Sequence, residues 1–256
     1  SLKCHHINIM NYIKEKYDIK INLKYALQFH NFIEMSNDDN WPKSNNVFDL
    51  FKLFCKYDYY SYVDYLLKYF NIYRCEMRKY DICFIIKTGL IISIGKFNQE
   101  ITNLLLDRPK ILIINAMSLY EPILNNNESL LNFSVRIYNI QSMKQLLNIK
   151  EMDVNSKSIE TNSEKTALYI AGECSNYEGL KCLLERQDID VNSKSIINID
   201  EKTVLNLAIE KNDLKMAKLL LERQDIDVNV KSWFKYLDIT GERTPLFFAV
   251  ENDNYN

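Results

Sequence analysis

Glycine and proline are scarce in this chain, which has five glycines and four prolines among 256 residues. A loop-rich β-sandwich or a disordered chain would hold more of both. Hydrophobic residues make up 47% and charged residues 26% of the sequence. These shares are ordinary for a globular protein that is long enough to bury a core. The composition therefore favours helices over both excluded classes.

An excess of positive charge is also lacking, since the formal net charge is −2. A nucleic-acid-binding surface would need clustered Lys and Arg, so no nucleic-acid partner is expected. The most apolar stretch, 82–94, is interrupted by Lys87 and Gly89. It is shorter than the ~20 apolar residues that span a bilayer. We predict a buried helix there and no membrane span.

Motifs of catalysis and metal binding are missing. The chain has no Gly-rich phosphate loop and no hydrolase, metalloprotease or kinase signature. Its six cysteines form no C-x-x-C pair. The adjacent Cys4, His5 and His6 do not supply the four converging ligands of structural zinc. Only the residue types present support a nucleophilic Cys–His pair that uses His30. We predict a noncatalytic, cytoplasmic protein with reduced cysteines and neither cofactor nor metal.

The chain does have an internal repeat. Glu-Lys-Thr or Glu-Arg-Thr, then any residue and Leu, occurs at 164–168, 201–205 and 242–246, and an alanine stands five residues after each Thr. A second unit, Leu-Leu-Glu-Arg-Gln-Asp-Ile-Asp-Val-Asn, occurs at 183–192 and 220–229, with a diverged copy at 146–155. The Asp-Val-Asn triplets begin at 153, 190 and 227, which is a period of 37. Such a period indicates stacked units that bury their apolar faces against their neighbours.

This pattern resembles the ankyrin repeat, in which Thr-x-Leu opens a first helix and Asp-Val-Asn follows a second helix. It is most similar to the divergent Asn-, Lys- and Ile-rich ankyrin proteins of protists with AT-rich genomes. The resemblance implies an all-α fold, an ankyrin-type α-solenoid of stacked helix–turn–helix repeats with β-turn fingers. Thr caps the first helix, and Pro245 stands just inside a helix start. Leu168, Leu205 and Leu246 belong to the buried face.

The sequence departs from the family pattern in four ways. Its period exceeds the usual ~33 residues, and the excess lies mainly in the fingers. One extra residue precedes Asp-Val-Asn where a glycine normally closes the second helix, so that turn is expected to close by another route. The glycine before the second helix is also missing. Tyr169, Asn206 and Phe247 replace the family's histidine, which puts its hydrogen-bond network in question.

Weaker copies extend toward the N-terminus. Leu-Leu pairs end at 67, 106, 147, 184 and 221, and second helices are predicted over 99–106 and 140–147. We expect an N-terminal helical cap or diverged repeat over 1–46. An ankyrin-repeat array over 47–256 would then hold about five repeats plus a partial sixth. The sixth would lack its second helix and expose Leu246, Phe247 and Val250. The sequence is therefore expected to be a fragment of a longer array, or a partner covers this end.

The resemblance also implies where a partner protein binds, namely the concave face formed by the fingers and first helices. A solvated face is the competing interpretation for each charged residue. The finger 230–243 is longer than the others and aromatic, and its aromatics either bind a partner or pack onto the helices. The implied partner-binding residues are Lys165, Tyr169, Glu173, Lys202, Asn206, Glu210, Lys211, Trp233, Phe234, Tyr236, Arg243, Phe247 and Glu251.

The function implied is a noncatalytic protein–protein interaction scaffold or adaptor with a protein partner of unknown identity. One alternative is the recognition arm of a longer multidomain enzyme. Another is a self-assembling structural repeat array that associates end to end through its incomplete C-terminal repeat. The fold alone does not choose among these functions.

Overall fold

A computed structural model describes residues 47–58, 60, 63–64, 67, 79–108, 128–160, 162–236 and 239–253. The chain divides into two compact units, Ser1–Ile113 and Ile114–Asn256. We call them the N-terminal and the C-terminal unit. The predicted cap over 1–46 lies outside the described residues. The boundary at residue 46 and the number of repeats remain predictions.

The N-terminal unit contains α1 (Val47–Lys56), α2 (Lys79–Gly95) and α3 (Gln99–Leu106). The apolar stretch lies in α2 and is buried at Ile86, Leu90 and other positions, which confirms the buried helix. α1 and α3 both pack against α2. At Gly89, an added Cβ would lie 2.9 Å from ring atoms of Phe51 and 3.0 Å from a methyl carbon of Leu105. This glycine therefore allows three helices to approach closely.

The C-terminal unit is built from successive helix pairs. In the three pairs described in full, the first helix packs against its own second helix, and like helices of neighbouring pairs also pack together. The predicted bounds of the second helices over 99–106 and 140–147 match those of α3 and α5. The helices are α4 (Leu130–Arg136), α5 (Ile140–Leu147), α6 (Ala167–Glu173), α7 (Tyr177–Leu184), α8 (Val204–Glu210), α9 (Leu214–Leu221) and α10 (Pro245–Asp253).

The fingers between these pairs are antiparallel β-hairpins, so the all-α prediction was too narrow. Residues beyond the family's usual length extend each finger enough for strand pairing. The hairpins are β1 (Lys157–Glu160) with β2 (Ser163–Thr166), β3 (Ser195–Ile197) with β4 (Asp200–Lys202), and β5 (Ser232–Tyr236) with β6 (Ile239–Arg243). β2 also pairs with β3, which joins the first two fingers in one four-stranded sheet.

The turn between the helices of each pair holds a non-glycine residue in the left-handed region. The φ angle is 57° at Phe97, 61° at Tyr138, 56° at Ser175 and 52° at Asn212. The next residue is always Asn or Asp, and its side chain caps the second helix by accepting a backbone N–H. These four residues thus occupy the conformation that a glycine would adopt without strain.

The second helices end without a left-handed residue, as the missing glycine predicts. The C-cap of α7, Glu185, keeps a right-handed φ of −71°. Arg186 follows it and forms a bidentate ion pair with Asp188, with N–O distances of 2.8 and 2.7 Å. The same guanidinium donates to the carbonyls of Leu147 and Ile149 in the preceding repeat. The turn with the extra residue is therefore closed by Arg186, which also caps the C-terminal end of α5 in the preceding repeat.

An asparagine ladder also links successive repeats. The Asn155 side chain donates to the Asp188 carbonyl and accepts from the Asp190 N–H, both at 2.8 Å. Asn192 makes the same two bonds one repeat later. The identical Asp-Val-Asn triplets in the sequence thus reflect one hydrogen-bond pattern that each repeat offers to the next.

The buried face of the first helices follows the predicted pattern up to α10. Leu168 and Leu205 are buried, and so are the small Ala171 and Ala208 that let the helices approach. The resemblance also places Leu246 on this face, yet it is exposed. Within the described residues no second helix packs against α10.

Candidate protein interface

Capped helix starts fix where each finger meets its first helix. The Thr166 hydroxyl accepts from the Tyr169 N–H at 3.2 Å, and Thr203 accepts from the Asn206 N–H at 3.2 Å. Thr244 stands at the same place before α10, with a longer bond of 3.4 Å. The capping role predicted for these threonines is confirmed. Each finger thus leads directly into its helix and holds a set position above it.

One face of the finger sheet alternates apolar and acidic side chains. Directly opposed residues of antiparallel strands share a face. Ile159 is opposed to Glu164, Glu164 to Ile196, and Ile196 to Glu201. Trp233 holds the corresponding place in β5, which packs beside β4. We define the finger row as Ile159, Glu164, Ile196, Glu201, Trp233 and Glu242, the last being opposed to Trp233.

The apolar members of the finger row are open to solvent. Ile159 is 46% exposed, Trp233 is 38% exposed, and Ile196 is half-buried. The serines that precede these three residues point to the opposite face and are buried. The outer face of the sheet therefore presents a line of apolar side chains that the helices do not use.

Each acid of the finger row is paired with a lysine of its own hairpin. Exposed pairs of this kind contribute little to stability. They do balance the charge of this face, so that its character is set mainly by the apolar members. The N–O distances are 3.7 Å for Lys157–Glu164, 2.8 Å for Lys194–Glu201 and 3.0 Å for Lys231–Glu242.

Four of the charged residues predicted for partner binding pair with one another. Lys165 lies 2.8 Å from Glu173, and Lys202 lies 2.8 Å from Glu210. Each pair joins the base of a finger to the end of its first helix. In α4 the signs are reversed, since Arg136 pairs with the acid eight residues before it. We call Lys165, Glu173, Lys202 and Glu210 the ion-paired rim. Its lysines lie on the face of the sheet opposite to the finger row, because Lys165 is opposed to the buried Ser158 and Lys202 to the buried Ser195.

Three further predicted residues lie near helix ends. Lys211 donates to the backbone carbonyls of Gly172 at 3.0 Å and of Glu173. It thereby caps the C-terminal end of α6. Phe247 of α10 is exposed. The side chain of Glu251 lies outside the described residues.

Tyr169 and Asn206 are buried, so neither contributes to an exposed surface. Asn206 donates to the Ser232 hydroxyl at 3.1 Å and accepts from the Thr203 hydroxyl at 2.6 Å. It thus joins α8 to the following finger in place of the family's histidine. Burial raises the pKa of Tyr169, and the nearby Glu210 raises it further. Asn206 thus supports the third finger from beneath.

The aromatic residues of the third finger divide between its two faces, because successive strand residues alternate. Trp233 points outward within the finger row. Phe234 turns inward, and the Arg243 guanidinium carbon lies 3.7 Å from its ring centroid. The same guanidinium lies 5.4 Å from the ring of Phe247. This stacking attaches the hairpin to α10. The side chain of Tyr236 lies outside the described residues.

Three buried serines were not identified from the sequence. Ser158 accepts from the Asn132 side chain at 2.5 Å, and Ser195 accepts from the Thr166 N–H at 3.3 Å. Together with Ser232, they connect each finger to the preceding first helix. The signal was available, because a serine stands three residues after the asparagine of every Asp-Val-Asn triplet.

Within the described ranges, no group of three or more His, Cys, Asp or Glu side chains could hold a metal ion. In the same part of the chain, no helix is both long and apolar enough to cross a membrane.

The described cysteines are free thiols. Burial raises the pKa of Cys174 and Cys182, which disfavours the nucleophilic thiolate form at these two sites.

Comparisons with known proteins agree with this geometry. The family model "Ankyrin repeat" matches residues 200–233. Among solved structures, the ankyrin repeat domain of Bcl-3, described as a unique member of the IkappaB protein family, has a similar fold. The match has a TM-score of 0.53 and 18% identity, and it covers 70% of this chain and 72% of that chain. At this identity the likeness concerns the fold alone. None of the curated proteins matches the chain.

Proposed function

We propose that this ankyrin-repeat protein is a noncatalytic scaffold or adaptor. It holds a partner protein against its fingers. Ankyrin repeats generally mediate protein–protein interactions. In this proposal the partner encloses the fingers and contacts both faces of their sheet. It meets the finger row on the outer face and the ion-paired rim at the first-helix ends on the concave side. A cytoplasmic location is part of the same proposal.

The observation that carries this proposal is the outward position of Trp233. Tryptophan is enriched among interface hot spots, and an exposed one in a monomer calls for a reason. Two isoleucines stand at the corresponding positions of the other hairpins, so the tryptophan belongs to a longer apolar line. A partner that follows this line would contact all three fingers.

The paired charges indicate what kind of partner suits this surface. Because the lysines and glutamates of the fingers neutralise one another, long-range attraction to a strongly charged partner is weak. The partner surface is therefore mainly apolar, with polar groups that meet the ion-paired rim. Binding is expected to depend only slightly on salt concentration.

The rim residues Lys165, Glu173, Lys202 and Glu210 stay in the proposed surface, together with Trp233. Tyr169 and Asn206 are buried, and Asn206 supports the third finger from inside. Arg243 and Phe234 hold the third hairpin on α10 and so orient Trp233.

Affinity capture from the native organism tests the proposal, with bound proteins quantified by mass spectrometry. Trp233→Ala is expected to reduce a captured partner at least about tenfold, which is typical of an interface hot spot. The melting temperature should change little, because the outer side of Trp233 is free. Tyr60→Ala in the N-terminal unit is the matched control, since Tyr60 is 43% exposed. Unchanged capture by Trp233→Ala, or equal loss in the control, would count against the proposal.

A further inference from the structure

Three ion pairs of one kind stand at the ends of successive first helices. Each joins the residue before the capping Ser or Thr to the last residue of the helix, seven positions after the cap. α6 packs against both α4 and α8, so the three pairs are neighbours on one surface. They are Glu128–Arg136, Lys165–Glu173 and Lys202–Glu210, with N–O distances of 2.6, 2.8 and 2.8 Å.

In each pair the residue at the helix end is the more exposed member. The side chain of Arg136 is 42% exposed and that of Glu128 is 2% exposed. Glu173 is 41% exposed, whereas its lysine is 16% exposed. The difference is smallest on α8, with 27% for Glu210 and 22% for Lys202. A partner that reaches this surface therefore meets the charge at the helix end first.

The charges at the helix ends differ in sign. We define the charge line as Arg136, Glu173 and Glu210, which reads positive, negative, negative. The ion pairs weaken these charges without cancelling them, because a contacting group lies closer to the exposed member than to the covered one. A carboxylate also has about four lone-pair sites, so each glutamate can accept from a second cation beside its lysine.

Two side chains between the helices show that the charge line is continuous. Burial raises the pKa of Tyr169, and Glu210 and Glu173 both raise it further. Burial also raises the pKa of Cys174, which Glu173 raises further and Arg136 lowers. Neighbouring members of the line thus act on a shared group between them. A partner segment that crosses the three helices would contact the members in turn.

The spacing of the helices favours an extended segment. Packed helices lie about 8–10 Å apart, which sets the distance between members of the charge line. In a polyproline II segment, residues three apart lie on one side and are separated by about 9 Å. An α-helix would use residues seven apart, at about 10.5 Å. A β-strand would turn residues three apart to opposite sides.

We propose that the partner crosses the charge line with an extended segment of complementary charge order. An acidic residue lies opposite Arg136, and basic residues lie opposite Glu173 and Glu210. The segment therefore reads acid-x-x-base-x-x-base, in one chain direction or the other. This inference rests on the proposed function, since it takes the ion-paired rim as part of the partner surface, and it adds the charge order by which the partner is selected.

Phage display of random peptides on the full 256-residue chain tests the charge order without a known partner. The apolar residues of the selected peptides supply the affinity that exposed ion pairs lack. We expect each of the three charges to be enriched about two- to fivefold over the unselected library, at positions three residues apart. The enrichment should be smallest opposite Glu210, whose exposure differs least from that of its lysine.

The chain supplies a matched variant for this experiment. On α4 the acid precedes the cap and the base ends the helix, so the fold accepts either order of the pair. Lys165→Glu combined with Glu173→Lys gives the α6 pair the order of the α4 pair. Selection on this variant should replace the base by an acid at the middle position alone. If the double variant unfolds, Glu173→Gln should abolish the preference for a base at that position.

Three results would overturn the proposal. The first is no charge order among peptides selected on a chain that circular dichroism shows to be folded. The second is the same order on the original chain and on the pair-reversed or Glu173→Gln chain. The third is a spacing of seven residues between the charges, which would assign the surface to a helix. Trp233→Ala lies on the opposite face of the sheet and should leave the order unchanged, so failure here is distinguishable from failure of the finger-row proposal.

Discussion

The N-terminal and C-terminal units share one helix-pair geometry and stabilise it differently. In both units a left-handed residue precedes the second helix, at Phe97 in one and at Asn212 in the other. The N-terminal helices meet through apolar side chains and the close approach at Gly89. The C-terminal repeats add a ladder of asparagine, serine and arginine hydrogen bonds with a period of 37 residues.

A single arginine position illustrates the difference. Arg186 stands two residues after the last leucine of α7, and Arg108 stands two residues after the last leucine of α3. Arg186 donates to backbone carbonyls of the preceding repeat, whereas Arg108 lies 3.2 Å from the side chain of Asp64. Backbone carbonyls are present whatever the sequence, so the first contact can recur unchanged. The second depends on one particular acid.

The largest expected effect is on the apolar side of this comparison. Gly89→Val places a branched side chain against Phe51 and Leu105, where even a Cβ is too close. We expect a loss of about 2–3 kcal/mol in the free energy of unfolding, as in overpacked cores. Hydrogen exchange should increase first in peptides from 79–106. Gly89→Ala should lose less, since its better helix propensity offsets part of the clash. A Gly89→Val chain as stable as the original would refute the close-packing account.

A smaller effect is expected from the polar ladder. Arg186→Ala removes the ion pair with Asp188 and the donor to two carbonyls, at an expected cost of about 1–2 kcal/mol. Arg186→Lys should lose nearly as much, because an ammonium cannot form the forked contact. Urea unfolding measures both. Lys181→Ala, an exposed change in the same repeat, is the control and should remain within about 0.5 kcal/mol of the original. If Arg186→Ala matches that control, the ladder has no stabilising role.

The smallest effect concerns the turn that both units share. Phe97→Gly relieves a left-handed φ that a bulky residue tolerates poorly, and we expect a gain of about 0.5–1 kcal/mol. Asn212→Gly should gain less, because asparagine adopts this conformation more readily and glycine adds entropy to the unfolded chain. Phe97→Ala keeps a Cβ and should give no such gain. A larger gain at Asn212 than at Phe97, measured by urea unfolding, would contradict this explanation.

Much of the C-terminal unit could be predicted from the sequence, because its ladder requires particular residues at a fixed period. The capping threonines and the missing glycines indicated the turns, and the Leu-Leu pairs gave the bounds of α5, as they also did for α3 in the N-terminal unit. The N-terminal unit was harder to interpret since apolar packing accepts many side chains. The family model accordingly matches within the C-terminal unit, over 200–233.

The candidate interface was only partly predictable. The outward side chain of Trp233 and the inward side chain of Phe234 depend on strand alternation, and the sequence pattern predicts the fingers as β-turns without strands. The same omission left the finger row unpredicted, because its members from different fingers are brought together by β2–β3 pairing and by the packing of β5 beside β4. Tyr169 and Asn206 were expected on the surface because the family's first helices contribute to binding. Their burial follows from contacts between neighbouring repeats, which no single repeat displays.

The most direct test of the central claim is hydroxyl-radical footprinting of the chain with and without its captured partner. Phe97 is 58% exposed in the N-terminal unit and serves as the internal reference. We predict that partner binding slows the oxidation of Trp233 several-fold and leaves that of Phe97 unchanged. If Trp233 is oxidised as fast in the complex as in the free chain, the partner does not bind across the fingers.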